Sequence, residues 1–287
     1  MAKVAHPPEP APCMAVDLCY PDPPDLDPRA LTIRIGSALP DTTIVWSGPT
    51  NLLLRHERPD PTRRHRPDPS DVLGLPPEHQ PFTSADGYRT DHLLHAISFG
   101  TEPPASRDLS QCWGWPDADT TLARCRYQIT ISQPVGRGRD FAERIEALRL
   151  ILDAAIALAR PLATWWPTSQ VALPPGALIA HPLAGLVNVR LFRSMTDPDI
   201  TLTDTLGLYA LGLPDMQCQS RRLDPNRIND LLYELAEYLC KHGDVLRPGR
   251  PVPGLSADQQ FVPSRQESLV PPHRLVMDLD PGPGYRP

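Results

Sequence analysis

Cysteine and histidine are the residues that most often bind metals, but their spacing here does not form a metal site. No CxxC pair occurs among the six cysteines. His92 and His95 would point to opposite faces of a strand, so one ion could not bind both. Cys240 and His242 lie near a predicted helix end, where terminal carbonyls favour an imidazole. We expect surface and edge histidines, reduced and mostly buried thiols, and neither a metal nor a cofactor. The cysteines are Cys13, Cys19, Cys112, Cys125, Cys218 and Cys240.

Nucleophilic and phosphate-binding motifs are also missing from the chain. There is no GxSxG sequence, the usual signal of a serine nucleophile at a strand–turn–helix junction. The sequence GRGR, from Gly136 to Arg139, lies between a predicted strand and a predicted helix, where anions can bind. It matches neither GxGxxG nor GxxxxGK, so we expect a tight turn with solvated arginines. No catalytic residue is assigned.

Tryptophans provide the first candidates for a binding surface, because tryptophan is enriched in interface hot spots. Trp113 and Trp115 lie two residues apart and are the pair that we place first. Core packing explains tryptophans equally well, and we expect two of the set that also includes Trp165 and Trp166 to face inward.

Four charged residues, Asp204, Asp215, Arg190 and Arg193, complete the candidate partner-binding set. They are also the first place to look for a catalytic pocket, because catalytic groups come together from distant parts of a fold. Missing motifs therefore weaken an enzymatic interpretation without excluding it.

The charge and hydropathy of the chain disfavour two classes of partner. The net charge is −6 and the isoelectric point is near 5.8, whereas nucleic-acid-binding domains usually carry a basic patch. The basic run at residues 63–66 is offset by neighbouring aspartates, which indicates a solvated loop. The sequence contains no run of about 18 apolar residues, the length that a membrane-spanning helix requires. The N-terminus lacks the apolar core of a signal peptide. We expect no nucleic-acid partner, no membrane association and a cytoplasmic location.

Proline marks the parts of the chain that are least able to form helices and strands. The 38 prolines are concentrated toward the two ends. We predict a disordered tail at residues 1–12, a long proline-rich loop at 57–90 that is either functional or disordered, and a disordered tail at 281–287. A single α+β domain is predicted over residues 13–280.

The segment from Asp204 to Asp244 has the clearest structural pattern: strand, tight turn, strand and helix. The turn is predicted near Gly212 to Asp215. Asp224 fits the N-cap of the helix, Pro225 its first position and Gly243 the residue after its end. One face of the helix is apolar at helical spacing: Ile228, Leu231, Leu232, Leu235 and Leu239.

Capping signals and hydrophobic periodicity predict the remaining elements. Asp27 and Pro28 repeat the N-cap and first-position signature and predict a helix at 28–38. Further helices are predicted at 107–125, with Asp117 as an alternative start after Pro116, and at 140–159. Strands are predicted at 14–20, 42–46, 52–56, 92–99, 127–132, 163–166 and 187–192. Beyond Arg247 we predict a tail with one strand at 274–279. The predicted helices are too few to alternate with the strands along the whole chain. The pattern therefore favours an α+β fold, with a mainly antiparallel sheet and amphipathic helices on one of its faces. The order leaves open an arrangement of two ferredoxin-like halves.

The C-terminal segment resembles a known family. The phrases TLTDTLGLYALGLPDMQC and LLYELAEYLCKHGDVL are similar to the signature of the bacterial domain-of-unknown-function family 4261. Upstream, Pro103 to Trp115 and Ala163 to Trp166 resemble other phrases of that family, so the resemblance extends over residues 90–275. The N-terminal 90 residues depart from it. The signature positions are Thr205, Gly207, Leu208, Gly212, Asp215, Tyr238, Leu239, Gly243, Val245, Leu246 and Gly249.

This resemblance implies a genetic neighbourhood for the protein. It implies no catalytic residues, since none is established for the family. That neighbourhood consists of bacterial competition loci, including type VI secretion and polymorphic-toxin systems, where immunity proteins bind and block toxins. We therefore expect a non-enzymatic protein-binding module, most simply an immunity protein that neutralises a cognate toxin. An enzyme, or an adaptor or structural component, of the same locus is the alternative.

Overall fold

The structure of this chain is a computed structural model that describes residues 13–39, 42–48, 50–57, 92–100, 107–134, 141–179 and 183–287. Residues 1–12, the predicted loop at 57–90 apart from Glu57, the GRGR sequence and the basic run lie outside the described residues. The described part holds thirteen strands in two mostly antiparallel sheets, together with four α-helices. The predicted α+β fold class is thereby confirmed.

The first sheet has seven strands, all from residues 13–173. They are β1 (Cys13–Tyr20), β2 (Thr42–Ser47), β3 (Asn51–Glu57), β4 (His92–Gly100), β5 (Tyr127–Pro134), β6 (Ala163–Trp166) and β7 (Val171–Leu173). The order across the sheet is β2-β3-β4-β5-β1-β6-β7, and every pair is antiparallel. The short strand β7 is therefore one edge of this sheet.

The second sheet has six strands from the C-terminal half. They are β8 (Asn188–Arg193), β9 (Ile200–Leu206), β10 (Asp215–Arg221), β11 (Val252–Pro253), β12 (Gln260–Glu267) and β13 (Leu275–Asp280). The order is β11-β12-β13-β10-β9-β8, and only the β10–β13 pair is parallel. The first sheet is thus complete before the second begins in the chain, and both sheets are larger than the four-stranded sheet of a ferredoxin-like unit.

Helix capping follows the sequence closely. The α-helices are α1 (Pro28–Ala38), α2 (Ala118–Leu122), α3 (Phe141–Ala159) and α4 (Pro225–His242). The side chain of Asp224 accepts the N–H of Asn226 at the start of α4, and Asp27 caps α1 in the same way. Both caps satisfy a backbone donor that the first helical turn leaves unpaired. None of the helices among the described residues is long and apolar enough to cross a membrane.

One hydrophobic core joins the two sheets. Leu18 of β1, Leu152 of α3, Met216 of β10 and Leu239 of α4 belong to a single cluster of buried residues. Because side chains alternate along a strand, Gln217 points away from Met216 and from α4. We call that opposite surface of the second sheet its outer face.

The helix predicted at residues 107–125 is wrong over most of its length, but the alternative start after Pro116 agrees with the structure, where Asp117 is the N-cap residue of α2. Only Ala118–Leu122 is helical, and residues 107–117 form a series of turns. Pro116 explains the break, because a proline donates no hydrogen bond and disfavours a helical conformation of the residue before it.

The region beyond Arg247 has more regular structure than the sequence predicted. It supplies β11, β12 and β13, of which only β13 was anticipated. Residues 281–287, expected to be a disordered tail, form turns against β10, where the N–H of Arg221 donates to the carbonyl oxygen of Tyr285 at 2.6 Å.

Candidate functional site

The outer face of the second sheet contains a buried, bidentate ion pair. Arg190 of β8 and Asp204 of β9 are opposite partners in the antiparallel register. Nε of Arg190 donates to Oδ1 of Asp204 at 2.9 Å, and Nη2 donates to Oδ2 at 2.6 Å. The two side chains are 4% and 0% exposed. Two parallel bonds in a water-poor environment fix the relative position of the strands as well as neutralising the charges.

A second arginine, Arg274, links the carboxylate of Asp204 to that of Asp215. Arg274, just before β13, donates from Nη2 to Oδ2 of Asp204 at 3.2 Å and from Nε to Oδ2 of Asp215 at 2.8 Å. Its Nη2 also donates to the carbonyl oxygen of Thr205 at 2.6 Å. We refer to Arg190, Asp204, Asp215 and Arg274 as the buried clamp.

Asp215 also organises the connection between β9 and β10. Its Oδ1 accepts the N–H of Leu208 at 3.0 Å and the hydroxyl of Thr205 at 3.2 Å. Burial raises the pKa of Asp215, and the Arg274 guanidinium acts in the opposite direction. The carboxyl group therefore closes the turn that leads into β10.

The buried clamp holds a loop across the outer face. Residues 268–274, the capping loop, pass over the sheet just before β13. Nη1 of Arg190 donates to the carbonyl oxygen of Pro271 at 2.9 Å. Farther along the sheet, the N–H of Leu269 donates to Oε1 of Gln217 at 3.0 Å. Strands and loop are thus fastened by the same group of polar side chains.

The chemistry of the buried clamp is that of a structural network. Its two carboxylates and two guanidiniums sum to zero charge. All four carboxylate oxygens of Asp204 and Asp215 already accept hydrogen bonds. Such a set holds strands together and presents no spare carboxylate oxygen to a substrate. Across the described ranges, no group of three or more histidine, cysteine, aspartate or glutamate residues could hold a metal ion.

A second polar and aromatic arrangement joins the edges of the two sheets. Residues 107–117, the tryptophan segment, run along β7 on one side and β8 on the other. The N–H of Ala172 in β7 donates to Sγ of Cys112 at 3.1 Å. The N–H of Leu191 in β8 donates to Oε1 of Gln111 at 3.0 Å. The segment thus satisfies backbone donors that two edge strands would otherwise leave open.

Trp113 is displayed at the surface of this segment. Its side chain is among the exposed large hydrophobic groups, at 66% exposure. The indole Nε1 donates to Oε1 of Gln111 at 3.2 Å, the same oxygen that accepts from Leu191. Trp115 is only partly exposed and packs against the small core cluster around Trp165. One tryptophan anchors the segment while the other is presented to solvent.

The structure brings together some of the residues that the sequence selected and separates others. Asp204, Asp215 and Arg190 converge in the buried clamp. Arg193 is exposed and lies three residues from Arg190, so it points to the other face of β8. Arg274 was not selected, although it contacts both aspartates. Trp165 and Trp166 are buried, as expected of two of the four tryptophans.

The expectation that His95 lies at the surface is wrong. It is buried, and its ring lies 2.7 Å from Nε2 of Gln133. Burial lowers the pKa of His95 to about 3, because a charged imidazole would lose its hydration there. The side chain of His92 lies outside the part of the chain that the structure describes. All six cysteines are free thiols, four of them buried.

Comparison with known protein families gives one match, which covers the C-terminal part of the chain. Residues 204–280 match the model of a family described as a domain of unknown function, DUF4261. The matched region contains Asp204, Asp215 and Arg274, whereas Arg190 and Trp113 lie before it. No curated protein and no solved structure matches the chain.

Proposed function

We propose that this chain is a protein-binding module that contacts its partner through Trp113. The observation that carries the proposal is an indole that is largely exposed and yet held in place by Gln111. Exposed tryptophans supply large contact areas, and they are among the residues that most often dominate binding energy.

Preorganisation supports this use of Trp113. The Gln111 side chain that holds the indole is itself bonded to β8, and the neighbouring Cys112 is bonded to β7. A side chain that is ordered before binding loses less conformational entropy when the complex forms. The indole N–H already has an acceptor, so a partner can bury the ring without leaving that donor unpaired.

The buried clamp supports a scaffolding role for the sheet behind the tryptophan segment. Arg190 belongs to β8, whose next residue, Leu191, donates to Gln111. Fixing β8 against β9 therefore also fixes the strand on which the tryptophan segment rests. A rigid surface of this kind suits recognition by complementary shape.

In its specific form, the proposal is a cytoplasmic immunity protein that binds and blocks a cognate bacterial toxin. The resemblance to family 4261 supports this setting. The net charge of −6 would favour association with a basic toxin, because opposite charges accelerate encounter.

The proposal predicts that Trp113→Ala weakens toxin binding by about 2 kcal/mol, or roughly 30-fold in Kd. The experiment is co-expression with the secreted toxin encoded next to it, followed by growth, co-purification and calorimetry. The matched control is Tyr238→Ala, which removes another exposed aromatic ring, 51% exposed on α4. We expect the control to bind as tightly as the wild type.

Two results would count against the proposal. Absence of both protection and co-purification with the wild-type chain would exclude the immunity role. Equal affinity of the wild type and Trp113→Ala would show that the partner binds another surface.

A further inference from the structure

A small polar pocket opens on the outer face of the second sheet, at the end of β13. It has a volume of about 240 Å³, and its lining includes Gln219, Gln266, Leu269, Asp278, Asp280 and Arg286. Pockets for drug-sized ligands usually have volumes of roughly 300–1,000 Å³. The dimensions of this pocket therefore suit the head of one side chain better than a nucleotide or a larger cofactor.

The lining of the pocket includes Asp278, a buried carboxylate that forms no direct ion pair among the described residues. Asp278 is 6% exposed, and its Oδ1 accepts from Nε2 of the neutral Gln217 at 3.2 Å. Within the described ranges, no lysine, arginine or histidine nitrogen forms an ion pair with it. Burial raises the pKa of Asp278, while hydrogen bonds from Gln217 and Gln266 and the positive charge of Arg286 act in the opposite direction. A buried carboxylate is stabilised most effectively by a cation, which a ligand can supply.

The rim of the pocket already accepts a guanidinium. Nη1 of Arg286 donates to Oδ2 of Asp280 at 2.6 Å, while Oδ1 of Asp280 accepts the N–H of Gly282 at 2.9 Å. The Arg286 side chain is 59% exposed. With Asp278 and Asp280 ionised, the two carboxylates and one guanidinium leave a net charge of −1, which one further cationic group would neutralise.

We propose that this pocket binds the cationic head of an arginine or lysine side chain of a partner protein. The carboxylates of Asp278 and Asp280 are acceptors, which guanidinium and ammonium groups require, and Gln219 and Gln266 line the same pocket. Leu269, which is half-exposed at the rim, provides an apolar contact for the aliphatic stem. This site is separate from Trp113, so its test does not depend on the function proposed above.

The experiment is an NMR titration of the full chain with the peptide acetyl-Gly-Arg-Gly-amide. The control peptide carries citrulline, which keeps the shape of arginine but has no charge. We expect the arginine peptide to shift the side-chain amide signals of Gln219 and Gln266, and the citrulline peptide to leave them unchanged. Arg286→Ala, which removes the competing guanidinium, is expected to tighten binding roughly tenfold.

A matched pair of variants separates the pocket from the overall charge of the protein. Asp278→Asn is expected to weaken binding by at least about tenfold, because it removes the charge that the ligand neutralises. Asp230→Asn makes the same change at an exposed position on α4 and should have no effect. Circular dichroism spectra and Tm values would establish that each variant is folded. Equal binding of the two peptides, unchanged binding by folded Asp278→Asn, or no binding even by Arg286→Ala would each overturn the proposal.

Discussion

Replacing Asp204 with alanine is expected to lower the free energy of unfolding by about 3–5 kcal/mol. Asp204 accepts three hydrogen bonds from the guanidiniums of Arg190 and Arg274. Its removal leaves two buried cations with only Asp215 to compensate them. A buried charge that has lost its partner is more costly than the pair was favourable, because water cannot replace the missing carboxylate.

Urea unfolding followed by circular dichroism would measure the effect. A lower midpoint with an unchanged m-value would indicate loss of stability in the native state. The matched control is Asp199→Ala, because Asp199 faces Arg222 at 3.9 Å with its side chain 58% exposed. A pair in water contributes little, so we expect a change within about 0.5 kcal/mol. A loss as small as this in Asp204→Ala would show that the buried clamp does not stabilise the fold.

Helix α4 shows which parts of this fold a single sequence can predict. Its N-cap, first-turn proline and apolar face are local signals within the span from Asp224 to Gly243, and all three agree with the structure. Helix α1 was predicted for the same reason, from Asp27 and Pro28. Local signals succeed because capping and periodicity depend on residues within one or two turns of each other.

The buried clamp is an arrangement that such local signals do not predict. Asp204 and Asp215 were selected from the sequence, but no local pattern places Arg274 beside them. That contact depends on the parallel pairing of β10 with β13, two strands that lie far apart in sequence. Strand order and register are set by long-range packing, so a single sequence predicts the residues without predicting their convergence.

The tryptophan segment was wrongly predicted as a helix because its structure also depends on contacts with distant parts of the chain. Its apolar residues have approximate helical spacing, but its polar atoms bond to the edges of two sheets. Gln111 and Cys112 contact β8 and β7, which lie about 60–80 residues later in the chain. These edge contacts take the place of helical hydrogen bonds, and the sequence before Pro116 contains no sign of them. Trp113 could be selected as a candidate, but its exposure could not be predicted.

Gly207 lies beside the buried clamp, within the region that matches the DUF4261 model. Gly207 has φ of 122°, a conformation that residues with a Cβ rarely adopt. It directly precedes Leu208, whose N–H donates to Asp215. A Cβ at this position would overlap the carbonyl oxygen of Leu186 and lie 3.0 Å from Cβ of Ser169. Backbone conformation and packing therefore both require glycine here.

Gly207→Ala is expected to destabilise the protein by roughly 3–5 kcal/mol, since backbone strain and overpacking each contribute about 1–3 kcal/mol. Relief of the clash would move the backbone that orients Leu208 toward Asp215. Gly249→Ala separates the two contributions, because Gly249 has φ of 77° and nothing within 4 Å of an added Cβ. That control should lose only about 1–2 kcal/mol, from strain alone. Thermal and urea unfolding of both variants would measure the difference, and equal losses would contradict the predicted clash with Leu186.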